Sequence, residues 1–371
     1  MRVGLDISSA VDPRPTGVAA YIRRLVGALG ELDDPLELRL LCRLSRRRRG
    51  APGLLFPGHP IDRLGGILPP RGIDLLHAAD IRIPRGVRVP VVATIHDLTA
   101  LKRIDHASRS FLDKKRRAYR RAARRAKLLI TQTESVRDEI VEVLEVEPAR
   151  VAGSPRAAAR PAAAAARPPG DPLGIRARVA TRAGLGVAVE PVKAALPGAG
   201  ATGRDGIPIE RGERLLIVGG PSRRKGRERL LPLLELWEER LRWRPEIVWA
   251  GSATEAEAGA FLDTLPAHLR DRITFRGHVP DAELDRLYRE SMGLLVISDS
   301  EGFGIPLLEA AARDCPVLAL ESPPLREVLE DTAFWFHWPP EASLASFQAF
   351  LDNRARARLA TAARERAGLY S

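Results

Sequence analysis

The chain has 371 residues, of which 45% are hydrophobic, and a formal charge of +12. That length exceeds what one compact core holds and predicts two domains. No apolar run is long enough to span a bilayer, and Asp6 stands where an export signal needs an apolar core. Cys42 and Cys315 are too few and too far apart for a disulfide framework or a zinc site, so the expected setting is a reducing cytoplasm.

In chain order, "RVGLDI" reads as a strand, followed by a loop around Thr16 and Gly17 and the helix "AAYIRRLVGALGEL". "LELRLLCRL", "IDLLHAA" and "VPVVATIHDL" are three further strand candidates. Residues 109–126 read as a basic helix, "KLLITQTE" as a strand and "VRDEIVEVLEV" as a helix. Such alternation predicts a parallel sheet covered by helices over residues 1–150. Residues 151–212 break the pattern: they are rich in Ala, Pro, Gly and Arg, and are expected to form a partly disordered linker. From Glu213 the alternation restarts with the strand "RLLIVGG" and the helix "RERLLPLLELWEERL". "EIVWAGS", "ITFRGHV", "GLLVISDS" and "PVLALE" are strands, separated by the helices "EAEAGAFLDTL" and "DAELDRLYRES" and by a helix entered at Pro306. Residues 213–371 therefore form a second doubly wound unit, and the last helix is expected to cross back to the first. Two such α/β units facing each other, with ligands at the carboxyl ends of their strands, would enclose an interdomain cleft.

The charge is unevenly spread. Residues 1–150 hold 29 Lys/Arg against 18 Asp/Glu, whereas residues 206–371 hold 22 against 26. The basic half predicts an anionic partner: nucleic acid, phosphates or an anionic membrane face. Nine basic residues crowd into Lys114–Lys127, beside an apolar stripe of Phe111, Leu112, Ala118, Tyr119, Ala122, Ala123 and Ala126. That segment reads either as a solvated helix packed on its sheet or as a membrane-attaching surface. No recognised nucleic-acid motif accompanies the charge.

The most specific stretch is "SDSEGFGIPLLEAA", residues 298–311. A buried strand, a glycine loop at Gly302 and Gly304, and a helix start succeed one another, with Glu301 before the loop and Glu309 inside the helix. Exposed backbone N–H groups at such a helix start suit anionic or hydroxyl-bearing ligands; Glu309 could equally serve only the helix dipole. Arg223, Arg224 and Lys225 follow "IVGG" and precede a helix, which suits neutralisation of a phosphate as well as a solvated turn.

Five stretches together resemble the family 4 glycosyltransferases of GT-B fold: "PTGVAAYIRRLVGAL", "TIHDL", "LLIVGGPSRRKG", "FRGHVPDAELDRLY" and "SEGFGIPLLEAAA". In flavour they are similar to the bacterial members that build O-antigen and related polysaccharides. The resemblance implies two Rossmann-like domains and a retaining transfer of a mannose- or glucose-type hexose. The donor would be a GDP- or UDP-linked sugar, and the acceptor a glycan or lipid-linked chain. It implies no metal or other cofactor, and the chain has no Asp-x-Asp motif.

Carried over residue by residue, Glu309 would bind the ribose, and Gly302, Phe303 and Gly304 the donor sugar and phosphate. Glu301 would lie near the sugar hydroxyls. Arg224 and Lys225 would face the diphosphate, although Arg223 could replace Arg224, because Gly220 stands where many members carry an arginine. Val279 would line the nucleobase site, Gly17 the diphosphate, and His96 the reacting centre. Gly17 reads equally as an ordinary turn residue, and a lone histidine as structural. "RDC" replaces the usual glycine before "PV", so Asp314 must end the preceding helix in a left-handed conformation. The expected location is cytoplasmic, peripheral on the inner membrane face through residues 109–127. The competing readings are an inactive glycosyltransferase-like partner protein and a basic nucleic-acid-binding protein.

Overall fold

The structure, a computed structural model, describes residues 1–11, 17–31, 36–47, 52–64, 72–102, 109–153 and 212–370. The described residues up to 153 and those from 212 to 369 form two separate compact units. Most of the expected linker, 154–211, lies outside the described residues.

The first unit runs β1 (Arg2–Asp6), α1 (Gly17–Gly30), β2 (Glu37–Arg43), α2 (Leu44–Arg47), α3 (Pro52–Leu55), β3 (Ile61–Leu64), β4 (Leu75–Ala78), β5 (Val91–Thr94), α4 (Arg109–Arg125), β6 (Leu128–Ile130), α5 (Glu134–Leu144) and β7 (Val151–Ala152). The seven strands among its described residues are parallel in the order β3-β2-β1-β4-β5-β6-β7. β4 and β5 are buried along their whole length, as strands covered on both faces must be. α1 buries Tyr21, Ile22, Leu25, Val26 and Leu29, the one-sided spacing of a helix laid on a sheet. The sheet was longer than the sequence implied at both edges. β3 is the short, half-polar "IDRL", and β7 takes two residues from the start of the expected linker.

The second unit runs β8 (Gly212–Val218), α6 (Arg227–Leu241), β9 (Glu246–Ala250), α7 (Glu255–Leu262), α8 (Ala267–Arg270), β10 (Ile273–Gly277), α9 (Asp281–Glu290), β11 (Ser291–Val296), α10 (Ile305–Ala311), β12 (Val317–Leu320), α11 (Pro323–Leu329), β13 (Phe334–Phe336), α12 (Leu344–Leu351) and α13 (Asn353–Ala367). All pairs are parallel, in the order β10-β9-β8-β11-β12-β13. Central β11 is buried at every residue, and its Leu294 lies between Leu216 of β8 and Val317 of β12. The core is aromatic: Trp237 packs on Trp243 at 4.7 Å between ring centroids, and Trp249 stacks on Phe275 at 5.3 Å.

α10 closes as the sequence required, with Asp314 at φ +54° and its carboxylate 2.8 Å from Arg364 of α13. α13, the helix expected to cross back, packs on α10, α11 and α12 of its own unit. No helix among the described residues is long and apolar enough to cross a membrane.

Candidate active site

The two sheets share one topology. Counted from its own first strand, each reads 3-2-1-4-5-6, with a seventh strand added beyond the sixth in the first sheet, and the order reverses between its first and fourth strands. Crossover helices leave that point on opposite faces and open a crevice at the carboxyl ends. In the second unit the crevice lies after β8 and β11, and both loops there carry the residues singled out by sequence.

After β8 the chain turns through Gly219 and Gly220 into a single 3-10 turn, Arg223–Lys225. Ser222 starts that turn, its hydroxyl accepting from the Lys225 backbone N–H at 3.3 Å. Gly226 ends it at φ +77°, where a Cβ would fall 1.8 Å from the Ile297 carbonyl oxygen. Only glycine lets the β8 loop approach β11 so closely. The Asp299 N–H then donates to the Arg224 carbonyl at 2.9 Å, and Arg229 ion-pairs with Asp299. The two loops are therefore tied by backbone and by charge.

Within this frame Lys225 Nζ lies 2.5 Å from Glu301 Oε1, and Arg224 Nη1 lies 3.8 Å from Oε2. Arg224 also donates to the Ser300 carbonyl at 3.1 Å. Burial opposes ionisation of Glu301, but the Lys225 and Arg224 charges outweigh it and hold the carboxyl below its ordinary value. A narrow cavity lies against the Lys225–Glu301 pair, lined also by Ser298, Gly304, Pro306 and Leu307. The Arg223 guanidinium goes elsewhere, pairing with Glu228 at the start of α6. The pair facing Glu301 is thus Arg224 and Lys225.

Gly304 precedes α10 at φ +78°, and a Cβ there would stand 2.5 Å from Leu325. Phe303 is buried beside it and Gly302 lies in the preceding loop. Glu309 sits in the second turn of α10, where Oε2 accepts from the Tyr288 hydroxyl at 3.1 Å. Tyr288 is buried in α9; burial, then the Glu309 charge, pushes its hydroxyl well above its ordinary value. Arg313 lies 5.4 Å over the Tyr288 ring and pairs with Asp285 at 2.7 Å, which closes the support behind Glu309. Sequence reasoning missed Tyr288. Its signal was a tyrosine at a core position of "LDRLYRES", whose hydroxyl must find a partner when buried. Val279 is buried in the loop between β10 and α9.

His96 and Gly17 belong to the first unit. Gly17 is the exposed first residue of α1; the segment before it lies outside the described residues. His96 follows β5, with Nδ1 3.3 Å from Gln132 Oε1 and Nε2 donating to the Ala79 carbonyl at 3.0 Å. Its ring meets Tyr21 edge-on at 4.8 Å. Both ring nitrogens are thus engaged within the unit. Beneath them His77 Nε2 lies 2.9 Å from Thr94 Oγ1, and burial, then the His96 charge, lowers His77 to about 4. Asp80, at the carboxyl end of β4, accepts from Ser9 at 3.1 Å. Its burial opposes ionisation, but Lys115 and Arg82 outweigh that and hold it below the usual range.

Residues 15–156 match the family described as Glycosyltransferase Family 4, and residues 204–366 that described as Glycosyl transferases group 1; between them they take in most of the chain. The chain belongs to the family 4 glycosyltransferases. It is 30% identical over 137 residues to the serotype-specific mannosyltransferase WbdA of Escherichia coli, covering 35% of this chain and 16% of that protein. It is 38% identical over 78 residues to the O-antigen chain mannosyltransferase RfbU of Salmonella typhimurium, covering 21% of this chain and 22% of that one. The matched stretches thus span less than a quarter of either relative's length. Among solved structures, Anabaena HepE in complex with UDP and glucose superposes with a TM-score of 0.62 at 15% identity, over 99% of this chain and 95% of that one. WaaG, a glycosyltransferase involved in lipopolysaccharide biosynthesis, gives 0.57 at 17% identity, over 100% and 96%. At such identities the likeness is one of fold: two Rossmann-like domains of the GT-B class.

Proposed function

We propose that this family 4 glycosyltransferase moves a mannose- or glucose-type hexose, with retention, from a GDP- or UDP-linked sugar to a glycan or lipid-linked acceptor in cell-surface polysaccharide biosynthesis. The observation that carries the reading is the meeting of Arg224, Lys225 and Glu301 at the topological switch point of the second sheet. Two cations held to one carboxylate at the carboxyl ends of β8 and β11, with a narrow cavity beside Lys225, suit a diphosphate leaving group, whose charge grows as the glycosidic bond breaks. Glu309, set by Tyr288, accepts the ribose hydroxyls; a carboxylate takes two at once. Gly302, Phe303 and Gly304 shape the loop for the sugar and phosphate, and Val279 borders the base. His96 and Gly17 serve the reaction from the first unit, which takes the acceptor. The leaving phosphate oxygen assists deprotonation of the acceptor hydroxyl on the same face, so positioning and charge stabilisation supply the rate. The names of WbdA and RfbU support mannose, and those of HepE and WaaG support a nucleotide donor and a lipopolysaccharide context.

The basic helix extends the proposal to an anionic membrane surface at the cytoplasmic face. Tyr119, Ala122 and Ala123 of α4 are buried, and Tyr119 donates to the Asp97 carbonyl at 2.9 Å, so most of the apolar stripe packs on the sheet. Arg121 and Arg125 donate to the carbonyls of Ile83, Pro84 and Val87 and dock the helix. Phe111, Lys114, Arg117, Arg120, Arg124 and Lys127 remain exposed as the lipid-facing set.

The test is product analysis with UDP- and GDP-linked glucose and mannose and a lipid-linked glycan acceptor. The expected product keeps the donor's anomeric configuration by NMR and forms in the presence of EDTA. An inverted product, or activity lost to chelator and restored by added metal, rejects the mechanism.

A further inference from the structure

Glu301 stands between the two phosphate-facing cations. Its side chain is 13% exposed, and each oxygen faces a different partner: Oε1 lies 2.5 Å from Lys225 Nζ, Oε2 3.8 Å from Arg224 Nη1. Ser298, itself buried, hydrogen-bonds the same carboxylate. The Lys225 stem crosses Gly219, where a Cβ would stand 3.1 Å from Lys225 Cε. Arg224 is pinned through its carbonyl to the Asp299 N–H and through Nη1 to the Ser300 carbonyl.

We propose that Glu301 is a positioning residue for the phosphate-binding cations: it holds the Lys225 ammonium and the Arg224 guanidinium side by side, so that their other N–H groups converge on a nucleoside diphosphate. This rests on the donor-site reading and changes the role of one residue in it, from touching the sugar to aligning the cations. An ammonium has three N–H donors and a guanidinium five, so contact with one carboxylate leaves donors for phosphate oxygens. A lysine side chain loses much rotamer freedom when it is fixed, and an anchor present before the ligand arrives removes that cost from binding. The carboxylate between them also lets two like charges sit close together in a partly buried place.

A carboxylate that only touches the donor sugar is silent toward a ligand without sugar; one that aligns the cations is not. The experiment is therefore calorimetric titration of uridine, guanosine, UDP and GDP into wild type, Glu301→Gln, Lys225→Met and the double variant, with circular dichroism to confirm folding. Glu301→Gln should weaken the nucleoside diphosphate that wild type binds by about tenfold, leave its nucleoside unchanged, and add less than that in the Lys225→Met background, where only Arg224 is left to align. Glu301→Asp, which keeps the charge one methylene shorter, should recover part of the loss and supplies the readout if the glutamine variant does not fold. Diphosphate affinity that is unchanged or raised in Glu301→Gln, or a full additive loss in the double variant, overturns the positioning role alone. Wild type that binds neither UDP nor GDP overturns the donor-site reading and this role with it.

Discussion

The two units share one six-strand order, 3-2-1-4-5-6, with different chemistry at the carboxyl ends. In the first unit buried neutral groups, His77, Thr94, Thr131, Gln132 and Thr133, lie at or beyond the ends of β4, β5 and β6, and the charged groups at the switch point between β1 and β4 are acids: Asp6, paired with Arg43 at 2.7 Å, and Asp80. In the second unit the corresponding crevice gathers two cations, Arg224 and Lys225, on one loop facing Glu301 on the next. Net charge runs the other way, since residues 1–150 are strongly basic and residues 206–371 mildly acidic. The first unit sets a row of cations, Lys114, Arg117, Arg120 and Arg124, on the outer face of α4, whereas the second unit gathers a few at one point. Equal topology thus leaves function to the loops that follow the strands. The local placement of charge, rather than its sum, marks where a diphosphate would sit.

The largest expected effect bears on the outer charge of the first unit. Replacing Lys114, Arg117, Arg120 and Arg124 with glutamine should cost about 4 kcal/mol of affinity for phosphatidylglycerol liposomes at low salt, at about 1 kcal/mol per residue. Arg121 is left in place because it docks the helix on the Ile83 and Pro84 carbonyls. Co-sedimentation checks this; equal pelleting of variant and wild type would make α4 an ordinary solvated helix.

The next effect bears on the gathered cations. Lys225→Ala should lower kcat/KM by about 100- to 1,000-fold, as loss of a preorganised group facing developing charge does. Arg223→Ala, whose guanidinium pairs with Glu228, should stay within a few fold of wild type. If the two variants lose activity equally, the division of labour within the 3-10 turn is wrong.

A third effect separates the units by pH. His77 is held at about 4 in the folded protein, below its ordinary 6.5, so the folded state binds fewer protons between those values. Its contribution is complete above pH 6.5 and is lost as pH falls toward 4, by about 3 kcal/mol in all. Glu301, also lowered, contributes above its ordinary 4.5 and loses that contribution only as pH falls further, through its folded value. Melting of wild type and His77→Asn from pH 7 to 4 checks this: the variant should lose most of the slope. An identical slope would show that His77 does not titrate in that window.

Much of this was legible in the sequence because the second unit obeys local rules. "RERLLPLLELWEERL" is α6 to the residue, and the missing glycine before "PV" required the left-handed Asp314. The glycine loop at 302–304 likewise announced the start of α10. What stayed hidden depends on distant pairing. β3 has only four residues, two of them charged, and becomes a strand because β2 offers it an edge. α4 looked continuous in its basic character, yet Arg121 and Arg125 are consumed in docking, which only tertiary contacts decide. The choice between Arg223 and Arg224 turned on Glu228 and Glu301, and no spacing encodes which acid captures which cation. Tyr288 and Glu309 are 21 residues apart and meet only because α9 and α10 flank the same buried strand.

The central claim is that the switch point of the second sheet holds a nucleoside diphosphate through its ribose as well as its phosphates. Its most direct test is calorimetric titration of UDP and GDP into wild type and Glu309→Ala. Wild type should bind one of them, and the variant should lose about 1.5–3 kcal/mol of that affinity through the missing charged hydrogen bonds, with its fold intact. Affinity unchanged by Glu309→Ala, or no binding of either nucleotide by wild type, would contradict the account.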